Sequence, residues 1–324
     1  MQTPALRSPL AKRIQDFINL RRLSGTDYRA QTRLLGYFDR FLVKANRKQS
    51  SVTRLITDRY QQSLAHLAPR SRYNRLCVVK QLCEHIARSE PHCYVPEPMR
   101  MIPSYEAHCP PIFNESEIQA LLSAASALNP SESLRPQTYR MLLGLLYATG
   151  IRIGEALALN IESFHSEQKM LSIEAGKFRK DRFVPLHPST SQALEHYVHR
   201  RLQTGPRAPD SPLFINLRFR RLHYCTVNHT FRQLLAACGI PHNRRAGPRI
   251  HDLRHTFAVH RLLGWYRDGK DINARLPWLS TYMGHVGVAS TQVYLRATAE
   301  LVEQVDRRFH KHFIDNVKPS GGKS

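Results

Sequence analysis

The chain of 324 residues carries 48 Lys and Arg against 25 Asp and Glu, a formal charge of +23 with a pI of about 10.3. At roughly 150 residues per domain, this length makes about two domains and excludes a single small disulfide-stapled module. Residues 1–104 hold 19 basic and 7 acidic side chains and residues 105–324 hold 29 and 18, so the excess is no tail, and a polyanionic partner touched by both halves is implied.

The longest apolar run, Met141 to Ile151, spans 11 residues, against the roughly 20 that a membrane-spanning helix needs. No membrane partner is expected. The opening MQTPALRSPLAKR lacks an apolar signal core, and the six cysteines form no CxxC pair, which fits a reducing, cytoplasmic setting with free thiols. His92-Cys93 and His108-Cys109 are adjacent pairs in a Pro-rich stretch without the ligand spacing of a zinc site, so no metal is expected.

Residues 9–88 read as four amphipathic helices. In the second, Tyr28, Leu35, Phe38 and Leu42 recur at steps of seven, three and four and share one face, with Arg29, Arg33, Arg40 and Lys44 on the rest. The third carries Val52, Leu55, Ile56, Tyr60 and Leu64, and the fourth Tyr73, Leu76, Val79, Leu82 and Ile86, flanked by Arg70, Arg72, Arg75 and Lys80. Each arginine alone reads as a solvated charge; their excess over acids makes some of them a DNA-facing surface.

Prolines at 91, 96, 98, 103, 110 and 111 break any helix there. They mark residues 91–112 as a linker between domains at 1–90 and 113–324. A helix opens at Asn114 with Glu117 three residues on, a capping-box start. The next begins near Pro136 and runs through MLLGLLYATG, apolar all round and therefore buried. MLSIEAGKFRKDRFVPLH then alternates on either side of a Gly/Lys/Arg turn, predicting a β-hairpin with strands near 169–174 and 182–187. Helices return near 188–203, 226–238, 251–266 and 298–313. The fold class is mainly α: a small helical domain, then a mixed α/β, mostly helical one with a single hairpin.

Two local matches to other chemistry fail. The terminal GGKS has Val317 where a phosphate-binding loop needs its first Gly, and no helix can follow it. His251-Asp252-Leu253-Arg254-His255 mimics HExxH, but Asp252 stands where the zinc proteases need Glu. What remains is an ordered set: Arg152 after ATGI, Lys177 in the hairpin turn, His251 and Arg254 three apart, His285 after Met-Gly, and Tyr294 nine further on.

The strings ATGIRIGEAL, GKFRKDRFVPL, HDLRHTFAVHRLL and MGHVGVASTQVYL, in that order, resemble the tyrosine recombinase (phage integrase) family. LRRLSGTDYRAQTRLLGYFDRFL resembles its core-binding domain, so the likeness spans about residues 10–315. It implies a four-helix, SAM-like core-binding domain and a catalytic domain that together clamp duplex DNA. It also implies roles for the site residues: Arg152 and Arg254 on the phosphate, Lys177 in the hairpin as proton donor to the leaving oxygen, His251 assisting proton transfer, His285 on the phosphate, and Tyr294 as nucleophile. Phe178 stands where a Gly is common in the hairpin turn, and Lys180 is the alternative to Lys177.

The chemistry suits these residue types. Two fork-shaped, permanently charged guanidiniums hold the non-bridging oxygens in place of a metal, and a phosphotyrosine stores the bond energy so that rejoining needs no cofactor, metal or ATP. The resemblance implies attachment to the 3′ phosphate with release of a 5′ hydroxyl. Glu155, one turn beyond Arg152, either orients that guanidinium or forms a generic surface pair, and Asp252 reads as a helix-start acid.

The resemblance further implies a cytoplasmic, nucleoid-associated protein that assembles as a homotetramer on two DNA sites, with companion recombinases as further partners. Only about eight residues precede the first helix, leaving no room for a separate arm-site-binding domain. The insertion before MGH resembles recombinases of transposon-like mobile elements, acting in integration or transposition. The rival readings are a type IB topoisomerase and a non-catalytic DNA-binding protein of the same fold. After Tyr294, Leu301, Val305 and Phe309, widened by Val302 and Phe313, form an apolar stripe that packs on its own domain or, as the resemblance implies, on a neighbouring protomer.

Overall fold

A computed structural model describes residues 5–25, 28–45, 51–97, 111–174, 181–243, 247–284 and 294. The described chain is mainly helical with one small antiparallel sheet. It divides into two compact units, residues 1–107 and 108–324. No helix among the described residues is long and apolar enough to cross a membrane.

The first unit consists of α1 (Ala11–Leu23), α2 (Arg29–Lys44), α3 (Arg54–Ser63) and α4 (Pro69–Ala87). Tyr28, Leu35, Phe38 and Leu42 are all buried, and Phe38 meets the Tyr60 ring edge-on at 4.9 Å. Two positions of the third segment depart from expectation. Val52 is buried but precedes the helix, and Leu55 is exposed, because the inward stripe runs through Ile56 and Tyr60 at steps of four and Leu55 falls one residue off it. The buried carboxylate of Asp39 accepts the backbone N–H groups of Arg7 and Ser8 at 2.9 and 3.0 Å, which satisfies its charge and pins the segment before α1.

In the second unit, α5 (Glu115–Ser126) starts with the expected capping box: Asn114 Oδ1 accepts the Glu117 N–H and Glu117 Oε2 accepts the Asn114 N–H, both at 2.8 Å. α6 (Arg135–Thr149) is the central helix, burying Leu142, Leu143, Leu145 and Leu146 and packing against α5, α8 (Pro188–Thr204) and α10 (Asp252–Arg267). It ends at Gly150 with φ +62°, where a Cβ would lie 2.3 Å from Phe257 Cδ1. Both the turn and the close approach of α10 therefore require glycine.

α7 (Ile153–Ala158) follows directly, and then the sheet. The hairpin strands are β2 (Met170–Ile173) and β3 (Arg182–Pro185), paired Met170 to Pro185 through Ile173 to Arg182. A two-residue strand β1 (Phe164–His165), too short to show periodicity, adds to the β2 edge. After α9 (Tyr224–Ala237) and α10 comes α11 (Ile272–Met283), which the sequence reading did not anticipate because Pro277 lies inside it. Its start is fixed by Asp271, whose Oδ1 accepts the N–H groups of Asn273 and Ala274. The helix expected at 298–313 lies outside the described residues.

Candidate active site

Arg152 stands at the junction of α6 and α7, in extended conformation, with its backbone N–H on Glu155 Oε2 at 2.9 Å and its Nη1 on Glu155 Oε1 at 2.8 Å. Glu155 is therefore no surface pair: it is buried, and it orients the guanidinium. A second arginine, Arg182 at the start of β3, grips the same carboxylate with Nη1 and Nη2 at 3.1 and 2.9 Å. Burial pushes the Glu155 carboxyl up, but the hydrogen bonds from Arg182 and Arg152 outweigh it and bring it down to about 2.

These side chains converge on the last turn of α11, whose carbonyls have no partner within the helix. Arg182 Nε donates to the Tyr282 carbonyl at 3.3 Å, Arg254 Nη2 to that of Met283 at 2.7 Å, and Arg152 Nη2 to that of Gly284 at 2.7 Å. Arg254 Nη1 also donates to the Gly150 carbonyl at the end of α6. Cations at a helix C-terminus are favoured by its dipole, so three guanidiniums are locked in place by one carboxylate and two helix ends. Burial, and then the charge of Arg152, lower Arg254 to about 10, which leaves it charged at neutral pH. Three guanidiniums against one carboxylate leave a surplus of positive charge here, which suits an anion.

Tyr294 is buried in one cluster with Phe257, Ala258, Leu262, Leu276 and Met283. Its Oη lies 3.0 Å from Nδ1 of His255, the residue after Arg254. Burial raises the phenol pKa, opposed by the charges of Arg254 and Arg152. His251, at the N-cap position of α10, is exposed and sets its ring edge-on to His255 at 4.9 Å. Asp252, the first residue of α10, is buried, with Oδ2 on the Arg249 N–H at 2.7 Å, as suits a helix-start acid.

The structure thus brings Arg152, Arg254 and Tyr294 together at the end of α11, with His251 reached through the ring of His255. Lys177, Lys180 and His285 lie outside the described residues. Their chain neighbours are placed: Ile173 and Arg182 form the ladder pair on either side of the segment that contains Lys177, and Gly284 precedes His285. Two further residues belong to the cluster without a local signal in the sequence: Arg182, within the hairpin string, and His255, which the sequence offers only as half of a failed zinc motif. Among the described residues no group of three or more His, Cys, Asp or Glu is placed to hold a metal.

Fixed guanidiniums thus lie beside a tyrosine hydroxyl. Residues 112–300 match the model of the phage integrase family. The integrase/recombinase y4rB of Sinorhizobium fredii is 34% identical over 316 residues, covering 96% of this chain and all of that protein. The tyrosine recombinase XerD of Vibrio cholerae is 27% identical over 244 residues, 75% of each chain. In fold, the chain is similar to the Tn1549 transposon integrase in complex with a circular intermediate DNA, with TM-score 0.63, 15% identity, and 87% of this chain and 94% of that one covered. The chain belongs to the phage integrase family, the tyrosine-type site-specific recombinases.

Proposed function

We propose that this protein cuts and rejoins duplex DNA through a 3′-phosphotyrosyl bond on Tyr294, in the integration or transposition of a mobile element. The observation that supports the reading is the Tyr294 hydroxyl lying within the field of the Arg254 and Arg152 guanidiniums, both of which act on the phenol. Tyr294 Oη attacks the phosphorus, the bond to the 5′ oxygen breaks, and Lys177 protonates that oxygen; a new 5′ hydroxyl reverses the step. Arg152 and Arg254 bind the non-bridging oxygens, where negative charge grows in the transition state, with His285 adding a hydrogen bond and His251 assisting proton transfer.

Residues 1–90, the core-binding domain, and residues 113–324, the catalytic domain, clamp the duplex between them across the linker at 91–112. In the first, the guanidiniums of Arg40 and Arg75 both pack on the Tyr37 ring, at 4.8 and 4.2 Å, which keeps two cations close together for phosphate contact. The active assembly is a homotetramer on two DNA sites, with companion recombinases as further partners, in the cytoplasm and at the nucleoid. A nicked duplex that loses its short 5′ fragment after cleavage traps the covalent state. Wild type should give a protease-sensitive protein–DNA adduct and Tyr294→Phe none, with band shifts unchanged; an adduct in the Phe variant would refute the reading.

A further inference from the structure

We propose that the turn at residues 216–221 is a second grip of this unit on duplex DNA, with Arg218 and Arg220 on backbone phosphates away from the bond that is cut. The inference rests on duplex DNA being the substrate and adds where else the chain holds it. From Ser211 to His251 the sequence carries seven arginines and neither Asp nor Glu. Three of those arginines fall in the turn, and they divide by use. Arg221 is spent inward: its Nη1 donates to the carbonyls of Leu157 and Leu159 at 2.8 and 3.0 Å, and its Nη2 to Asn160 Oδ1 at 2.6 Å. Arg218 and Arg220 are exposed, and neither joins an ion pair among the described residues.

The backbone of the turn fixes both cations. The Asn216 N–H donates to the Arg220 carbonyl at 2.8 Å, the Phe219 N–H to the Asn216 carbonyl at 2.9 Å, and Asn216 Oδ1 accepts the N–H groups of Arg218 and Arg220 at 2.9 and 3.1 Å. Between the two arginines, Phe219 has φ +58°, a left-handed conformation that such turns normally give to glycine or asparagine. Its ring passes so near Gly205 that a Cβ there would lie 3.2 Å from Phe219 Cδ1, yet it stays half-exposed, as do Leu217 and Tyr224. A bulky ring held in a costly conformation between two exposed guanidiniums marks a contact surface, and apolar side chains interleaved with arginines match a sugar–phosphate edge. An acidic polypeptide would match the charge as well, but the position favours DNA. Arg221 fixes the turn to the end of α7, and α7 begins beside Arg152; six residues of helix span about 9 Å. A phosphate gripped at the turn is thereby held at a set distance from Arg152, which fixes the register in which the duplex meets Tyr294.

The test is fluorescence anisotropy of the full chain on a duplex of about 40 base pairs and arbitrary sequence, since phosphate contacts do not depend on sequence. Wild type, the double variant Arg218→Gln/Arg220→Gln and the double variant Arg218→Lys/Arg220→Lys are titrated over a range of salt concentrations, with polyglutamate as a second probe. The Gln variant should flatten the log–log salt slope by about 1.8, the loss of two phosphate contacts, and weaken duplex binding by roughly 10–100-fold at 0.1 M salt. The Lys variant, which keeps both charges, should retain most of the slope, and both should melt as wild type does, because neither side chain is buried. An unchanged slope and affinity in the Gln variant would overturn the assignment alone. A loss confined to polyglutamate would overturn it in favour of an acidic polypeptide, and a lowered melting temperature matching the lost affinity would reduce the two arginines to a structural role. Absence of duplex binding by wild type would overturn the substrate reading itself.

Discussion

Arg182 and Glu155, 27 residues apart in sequence, are joined by two parallel hydrogen bonds of 3.1 and 2.9 Å. The fork ties the start of β3 to the start of α7, so the strand that follows the segment holding Lys177 and the Arg152 guanidinium share one carboxylate. Bidentate pairing of this kind fixes direction as well as distance.

Arg182→Ala leaves a buried carboxylate with Arg152 alone and frees the Tyr282 carbonyl. Removing one partner of a buried pair costs roughly 3–5 kcal/mol, and the remaining Arg152 contact puts this case at the low end. Denaturant unfolding should show that loss, and cleavage should fall with it. Arg182→Lys should recover part of the stability but little of the cleavage, because a point charge cannot hold both carboxylate oxygens.

Three groups shape the acid side of the stability profile: Glu155, His255, and His251, which partial burial and then the charge of His255 also bring down to about 4. Glu155 has a folded pKa of about 2 against an ordinary 4.5, so its contribution is complete above pH 4.5 and disappears as the pH falls towards 2, about 3 kcal/mol in all. His255 has a folded pKa of about 4 against 6.5, so between pH 6.5 and 4 the unfolded chain binds a proton that the folded one refuses, and stability drops through that window. Unfolding free energies measured from pH 7 to 3 should show Glu155→Gln converging on wild type at the acid end and His255→Asn with a flatter slope between 6.5 and 4.

Gly150→Ala should be more damaging than its size suggests. The new methyl would need a positive φ and would press into the Phe257 ring, at 2.3 Å from Cδ1; overpacking of this sort costs about 1–3 kcal/mol, with a conformational cost added. Since the Gly150 carbonyl accepts from Arg254, cleavage should fall together with the melting temperature. A variant with unchanged melting temperature would show that α10 does not approach α6 this closely.

Arg254→Lys should lose most of the cleavage while folding. Lysine cannot reach both the Gly150 and Met283 carbonyls and present a fork to phosphate. Removing a preorganised donor typically costs 10²–10³-fold; rates within a few-fold of wild type would contradict that role.

The sequence was most readable where local chemistry acts alone. The Asn114/Glu117 cap, the buried run of α6, the Tyr28 to Leu42 stripe and the ordered positions of Arg152, Arg254 and Tyr294 all follow from spacing or from family strings. The sequence leaves Glu155 open between two roles, since i,i+3 spacing cannot show that Arg182 arrives from a distant strand to bury it. His255 was hidden for the same reason: its meaning comes from Tyr294, 39 residues later. α11 was missed because the interior Pro277 argues against a helix, whereas the Asp271 cap and the guanidiniums on the last carbonyls hold it. Leu55 was misplaced because a run of adjacent apolar residues leaves the inward face of a short helix open by one position.

The central claim is that the Tyr294 oxygen becomes bonded to DNA, and the nearby rival for that role is Tyr282, whose hydroxyl donates to the Pro185 carbonyl at 3.3 Å and whose pKa burial pushes up to about 12. Both fall in one tryptic peptide, Leu276 to Arg296. Fragmentation mass spectrometry of that peptide from the trapped adduct decides between them: the nucleotide mass should sit on Tyr294, and its appearance on Tyr282 or on any other residue would contradict the account.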